Sequence, residues 1–184
     1  HLEIETIVLK LWAKQIDNYS RIGRAPRAIQ SPGMYLNQMR LIKSEYEIER
    51  MREAVQISAE AHELVRLNID CKKNEKQIQG LLEGFFLDKG ARGPAYNSIV
   101  ASGDNACILH YTANNSELKK GDLLLVDAGC SLHDYYNGDI TRTFPIGGKF
   151  SGEQRTIYEI VLEAQKKALR SVVTGVSSND IHNE

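Results

Sequence analysis

Asp122–Pro145, DLLLVDAGCSLHDYYNGDITRTFP, is the stretch that decides how the rest of the chain is read. An apolar segment, Leu123-Leu124-Leu125-Val126, runs straight into the carboxylate of Asp127, where an unpartnered charge would be costly to bury. A polar turn near Leu132 to Tyr135 and a β-prone arm, Asp139-Ile140-Thr141-Arg142-Thr143-Phe144, come next, so the pattern predicts a hairpin. Opposed residues in an antiparallel hairpin have indices that sum to a constant, and a turn centred on His133 sets Asp127 against Asp139. Their Cβ atoms would then lie roughly 4.5–5.5 Å apart, an unfavourable arrangement for like charges unless something sits between them. Either one carboxylate holds a proton or both hold a cation. The cation is favoured, because the apolar strand makes Asp127 rigid and dry while Gly138 permits close approach at Asp139. Of equal standing on spacing alone is an arrangement in which Asp139 faces solvent and Asp127 caps a turn before Gly129.

The words VDAGC (126–130) and GDITRTFP (138–145), in that order and near that separation, closely resemble the metal-binding hairpin of the pita-bread metallopeptidases, in their aminopeptidase P and prolidase branch. The resemblance implies that Asp127 and Asp139 are metal ligands. This chain carries one residue more between the two aspartates than the family pattern, within SLHDYYN (131–137), which predicts a longer turn or a bulge.

Upstream, two short β-like runs, Tyr96 to Ala101 and Cys107 to Thr112, flank Ser102-Gly103-Asp104-Asn105 and form a second hairpin candidate. This puts His110 on a strand that the same sheet could bring to Asp127. Taken alone, His110 reads better as a structural strand histidine than as a site residue. NSIVASGDNACILHYT (97–112), however, resembles the family segment that carries a substrate-site histidine. The resemblance implies that His110 hydrogen-bonds the substrate or a reaction intermediate rather than the metal. Imidazole chemistry near neutral pH suits that task. His133, in the predicted turn, reads as exposed.

The chain's 184 residues suit one ordinary domain or a large part of something bigger, and such a length buries about 70% of the unfolded surface. With 23 Lys and Arg against 24 Asp and Glu, no strong field for nucleic acid or an anionic membrane is implied. Cys71, Cys107 and Cys130 are odd in number and lack a CxxC pair, which argues against a disulfide framework and a cysteine zinc site. A reducing compartment, the cytoplasm, is the expected location. No apolar run approaches the ~20 residues that span a bilayer. The chain opens on His1 rather than Met, which leaves room for a removed targeting segment.

Residues 2–17 carry Leu2, Ile4, Ile7, Val8, Leu11, Trp12 and Ile16 near helical spacing. The following SRIGRAPRAIQSPG breaks regular structure and reads as a linker or boundary loop. SEYE at Ser44 has the form of a capping box and opens a long helix with Ile48, Met51, Val55, Ala59, His62, Leu64 and Val65 inward. A lone helical histidine among apolar residues is usually structural, so His62 is left out of the site. MRLIKSEYEIERMREAVQISAEAH (39–62) resembles the opening of the catalytic domain in the same family. A second box at Asn74 opens a helix to about Asp88, with Ile78, Leu81, Leu82, Phe85 and Phe86 inward and Lys89-Gly90 at its end. A third, at Ser151, precedes Ile157, Ile160, Val161, Ala164, Ala168 and Leu169 as a core face, and the sequence ends at Glu184 just after another helix could begin.

These readings converge on an α+β chain, helices packed on one face of an antiparallel sheet, forming an incomplete pita-bread fold. Residues 1–43 are expected to be the end of a preceding domain plus linker, and 44–184 the amino-terminal half of the catalytic domain. The resemblance implies a metal-dependent aminopeptidase that releases the amino-terminal residue from peptides with proline in second position. It also implies two divalent ions, most often manganese, that activate a bridging water. On this resemblance Asp127 and Asp139 would be the metal residues of this half and His110 the catalytic one. The remaining ligands, a His and two Glu in the family, are expected beyond Glu184, so the isolated chain is expected to be inactive; His182 and Glu184 are not assigned. Prolidase, and a non-catalytic peptide- or protein-binding module of the same fold, are the alternatives, and self-association into a homo-oligomer stays open.

Overall fold

The alternation along residues 123–128 places Leu124, Val126 and Ala128 on one face, all fully buried, and Leu123, Leu125 and Asp127 on the other, half-buried. That single alternation sets which face of the sheet is covered. The computed structural model describes residues 2–24, 26, 28 and 30–183. His1, Glu184 and the side chains of Leu2 and Cys71, which enter the sequence reading, lie outside the described residues. The chain divides into two compact units, His1–Ser44 and Glu45–Glu184.

The first unit contains α1 (Leu2–Asp17), the short α2 (Tyr19–Ile22) and α3 (Gly33–Leu41). Trp12 Nε1 donates to the Pro26 carbonyl at 3.2 Å, while Ile4, Ile7 and Leu11 remain more than half exposed. Helix α3 is absent from the sequence reading, because Pro32 and Gly33 there are loop formers; Pro32 in fact serves as its N-cap.

The second unit contains α4 (Glu45–Asn68), α5 (Glu75–Asp88), strands β1 (Gly93–Pro94), β2 (Ile99–Ser102), β3 (Leu123–Ala128), β4 (Cys130–Ser131) and β5 (Ile140–Pro145), then α6 (Gly152–Ser171) and α7 (Ser178–His182). The main sheet is antiparallel with β3 between β2 and β5, and β1 pairs with β4 beside it. Helices α4 and α5 cover one face. Ala54, Ile57, Ala61, Val65, Ile78, Leu82 and Phe86 meet Val100, Leu124, Val126, Ala128 and Phe144 in one core. The opposite face carries Asp127.

The predicted hairpin forms in a different register. Asp127 pairs with Thr141 and Ala128 with Ile140, so Asp139 precedes β5 and is not opposite Asp127. One register continues unbroken from Leu123↔Pro145 to the Ser131↔Asn137 bridge, and Leu132 N donates to Tyr136 O at 2.9 Å. The turn is therefore centred on Asp134, one residue later than expected. The expected bulge is not present between the two aspartates. The turn is tied to α4: Asp134 accepts from Arg50 Nε at 2.7 Å and Tyr46 OH at 2.9 Å, and Tyr136 OH donates to Glu47 at 3.1 Å. The Arg50 bond holds the Asp134 carboxyl below the usual carboxylate range.

The second expected hairpin does not form. β2 pairs with β3, residues Gly103–Cys107 make a 3₁₀ turn, and 108–116 contain no strand. The α4 face is also rotated from the expected one: Ala54, Ile57, Ser58, Ala61, His62 and Val65 are inward, while Met51, Val55 and Ala59 are exposed. Small residues face the sheet because the helix approaches backbone there, as the site below makes plain. The apolar stripe of α6 is likewise not a core face in this chain, with Ile157, Ile160, Val161 and Leu169 each 60–67% exposed. Its capping box, Ser151 with Gln154, is present. Among the described residues no helix is long and apolar enough to cross a membrane, Cys130 is buried and free, and Cys107 is exposed and free.

Candidate active site

Three elements converge on the open face of the sheet. Asp127 stands near the end of β3, Asp139 immediately precedes β5, and Tyr96 lies on the segment joining β1 to β2. The Tyr96 hydroxyl is 2.7 Å from Asp127 Oδ1 and 2.8 Å from Asp139 Oδ1. Both carboxylates thus converge on one point although they are not cross-strand partners. Burial and the two carboxylates push the Tyr96 phenol far above its usual range, so it stays a neutral donor.

Helix α4 sets the backbone beneath these residues. His62 Nε2 donates to the Ala128 carbonyl at 3.1 Å, Ser58 Oγ accepts from Cys130 N at 3.0 Å and donates to Ala54 O at 2.7 Å, and Cys130 Sγ lies 3.3 Å from the same carbonyl. A Cβ on Gly129 would sit 1.8 Å from the Gly138 carbonyl oxygen, and one on Gly138 would sit 2.2 Å from Ser58 Oγ. Only glycine lets the two arms and the helix approach this closely. His62 is 3% exposed, and burial, opposed by its bond to Ala128, leaves the imidazole below its usual range. Its geometry is that of a strand-pinning group.

His110 lies on a loop, not a strand. Its φ is 56° and its side chain is exposed. Nevertheless Tyr96, Asn97, Ile99, His110, Thr112, Asp127 and Asp139 line one cleft of about 410 Å³. All three residues singled out from the sequence are therefore on one cavity. A separate cavity of about 540 Å³, lined by Ser102 to Asn105, Ser116, Glu117, Lys119 and Asp122, contains none of them. His133 is exposed on the turn.

Two carboxylates separated by a phenol oxygen are hard donors of the kind that hold magnesium, manganese or calcium. Among the described residues no group of three or more His, Cys, Asp and Glu side chains converges. The chain thus offers part of a ligand set whose chemistry fits a divalent ion. Tyr96 entered the sequence reading only as the start of a β-like run, because nothing local marks a tyrosine that meets carboxylates so far along the chain.

The pattern of metallopeptidase family M24 matches residues 49–184. This chain belongs to that family. As an M24 metallopeptidase chain it is similar to the Xaa-Pro aminopeptidase of Haemophilus influenzae, with 50% identity over 149 residues covering 81% of this chain and 34% of that protein. It is similar in structure to proline aminopeptidase P II from Yersinia pestis, with a TM-score of 0.89 and 42% identity over 99% of this chain and 42% of that one. Zinc-substituted aminopeptidase P of Escherichia coli in complex with product gives a TM-score of 0.89 and 40% identity, covering 99% of this chain and 41% of that one. The M24 chain shares their pita-bread fold, helices packed on antiparallel sheet. It spans about a third of the length of the curated relatives it matches.

Proposed function

We propose that the protein to which this chain belongs is an Xaa-Pro aminopeptidase, and that Asp127 and Asp139 are metal ligands in it. The observation that carries the reading is the shared cleft: two carboxylates converge on the Tyr96 hydroxyl, with His110 on the same wall. Similarity to aminopeptidases P supports the substrate class. Residues 1–43 are then the end of a preceding domain with its linker, and 44–184 the amino-terminal half of the catalytic domain.

Two divalent ions, manganese by preference, are the cofactors in this reading; when bound they supply Lewis acidity and a nucleophile at neutral pH. Asp127 and Asp139 hold charge of the right sign and hardness, and α4 fixes the backbone beside Asp127 by its bonds to Ala128 and Cys130. Tyr96 fixes the carboxylate rotamers by donating between them. His110, exposed to the cleft, is placed to hydrogen-bond the scissile group of a bound peptide as negative charge develops on it.

Among the described residues too few donors converge to complete the cage, and the 184 residues alone are expected to be inactive. The test uses a protein extended to the length of its relatives, assayed with manganese on Xaa-Pro dipeptides and Xaa-Pro-Yaa tripeptides. Cleavage of tripeptides, lost on Asp139→Asn, is expected. Cleavage of dipeptides alone would make the protein a prolidase, and manganese-dependent turnover by the 184 residues alone would overturn the half-site reading.

A further inference from the structure

Glu75 is a carboxylate with no exposed surface, in the first turn of α5. A charge in that position needs compensation, and the compensation comes from hydrogen bonds. Its Oε1 accepts from Ser102 N at 2.8 Å, Ser102 Oγ at 2.8 Å and Asn105 Nδ2 at 3.0 Å. Its Oε2 accepts from Tyr111 OH at 2.8 Å and Ser116 N at 2.9 Å. These donors have a common address. Ser102 is the last residue of β2 and Ser116 closes the irregular stretch that follows, so one side chain ties both ends of a loop that also contains His110.

The loop needs such a tie. Residues 108–116 have no ladder of their own, and His110 and Asn114 both adopt left-handed backbone, with φ of 56° and 47°. That conformation is unfavourable for a side-chain-bearing residue unless its surroundings impose it. Asn114 provides a second anchor: it is 1% exposed, accepts from Val100 N at 3.0 Å, and donates to Ser98 O at 2.7 Å and Gln79 Oε1 at 3.1 Å. Tyr111, next to His110 in the chain, is the nearest point at which the loop is bonded to Glu75.

We propose that Glu75 is the positioning residue for His110, a buried carboxylate around which the Ser102–Ser116 loop is wound so that the imidazole faces the Asp127–Asp139 cleft. This rests on the reading of His110 as a substrate-site group. A carboxylate is needed because five donors converge on two oxygens. The amide of Gln offers one acceptor oxygen and places an NH₂ group where donors already point. An ordinary first-turn glutamate, acting only on the helix dipole, would leave the loop indifferent to its loss.

The test is hydrogen–deuterium exchange on this chain, comparing wild type with Glu75→Gln and with Tyr111→Phe. Amides of 103–116 are expected to exchange at least about tenfold faster in Glu75→Gln, the effect of losing even one of its charge-assisted hydrogen bonds, with β3 and β5 unchanged. Unaltered exchange in the loop, or equal acceleration throughout Glu45–Glu184, would overturn the proposal. Should Glu75→Gln fail to fold, Tyr111→Phe, which deletes one donor at a half-buried position, must still accelerate exchange around His110. In the full-length enzyme Glu75→Gln should lower kcat, and adding it to His110→Ala should cost nothing more; multiplicative losses would mean that Glu75 acts elsewhere. If His110→Ala leaves turnover intact while the loop still loosens in Glu75→Gln, the catalytic reading of His110 fails and the hold of Glu75 on the loop stands.

Discussion

Asp139 meets Asp127 diagonally: the cross-strand partner of Asp127 is Thr141, two residues further along β5. Diagonal neighbours on one face stand roughly 7–8 Å apart at Cα, against about 4.5–5.5 Å for directly opposed pairs. The wider spacing admits an oxygen between the carboxylates, and Tyr96 provides it. Tyr96→Phe leaves two anionic groups facing one another with no donor between them. It is expected to cost about 1–2 kcal/mol, read as a fall of a few degrees in Tm. Added manganese should recover more of the Tm in the variant than in wild type. A Tm that does not move on Tyr96→Phe would mean that the phenol is not what holds the pair.

Asp127 and Asp139 by themselves offer an incomplete cage, since a two-metal centre takes several further ligands. Calorimetric titration of the 184-residue chain with manganese is therefore expected to show weak binding, and Asp139→Asn weaker still. Tight binding abolished by Asp139→Asn would mean that this chain completes the site itself or through a second copy.

The face of Asp127 was legible because alternation along β3 has a period of two and its buried members are uniformly apolar. The register was not, because it depends on where a turn is centred, and nothing in SLHDYYN singles out Asp134 over His133 until Arg50 and Tyr46 bind the Asp134 carboxylate. The three candidate residues, Asp127, Asp139 and His110, were singled out through words of sequence, and they line one cleft in the fold. His110 was expected on a strand because Ile108 and Tyr111 are β-prone; hydrogen bonds from Tyr111 and Asn114 overrode that propensity. Glu75 drew no notice within the capping box that starts at Asn74, because acidic residues are common in first turns. Nothing local distinguishes a solvated one from a buried one.

Gly129 and Gly138 are predicted to be irreplaceable for a reason of space alone. Gly129→Ala would drive a methyl into the Gly138 carbonyl, and Gly138→Ala would drive one into Ser58 Oγ and the Ala54 carbonyl. Each should cost about 3 kcal/mol or prevent folding, since backbone cannot yield as a side chain can. Gly80→Ala and Gly84→Ala form the control. Both lie in α5 with nothing within 4 Å of the added Cβ, and each should stabilise by about 0.5–1 kcal/mol. Urea unfolding of the four variants reads the contrast directly. Tolerance of alanine at 129 would mean that the two arms of the hairpin stand further apart than this, and tolerance at 138 that α4 stands further from the hairpin.

Glu75 makes the stability of the loop dependent on pH with a defined sign. Burial alone would raise its carboxyl, but the hydrogen bonds from Asn105, Ser102, Ser116 and Tyr111 together outweigh burial and hold it below the usual range. A group whose folded pKa lies below its unfolded value contributes stability that is present above the unfolded value, about 4.3 for glutamate, and is lost as pH falls through the folded one. The difference in stability between wild type and Glu75→Gln isolates this group from the other acids. It should amount to about 1–3 kcal/mol, stay constant from neutral pH down to about 5, and shrink below about 4. Protonated Glu75, like Gln, has a single full acceptor for five donors, so the two proteins should converge in acid. A difference that persists undiminished there would show that the shape of the side chain, rather than its charge, is what the loop is built on.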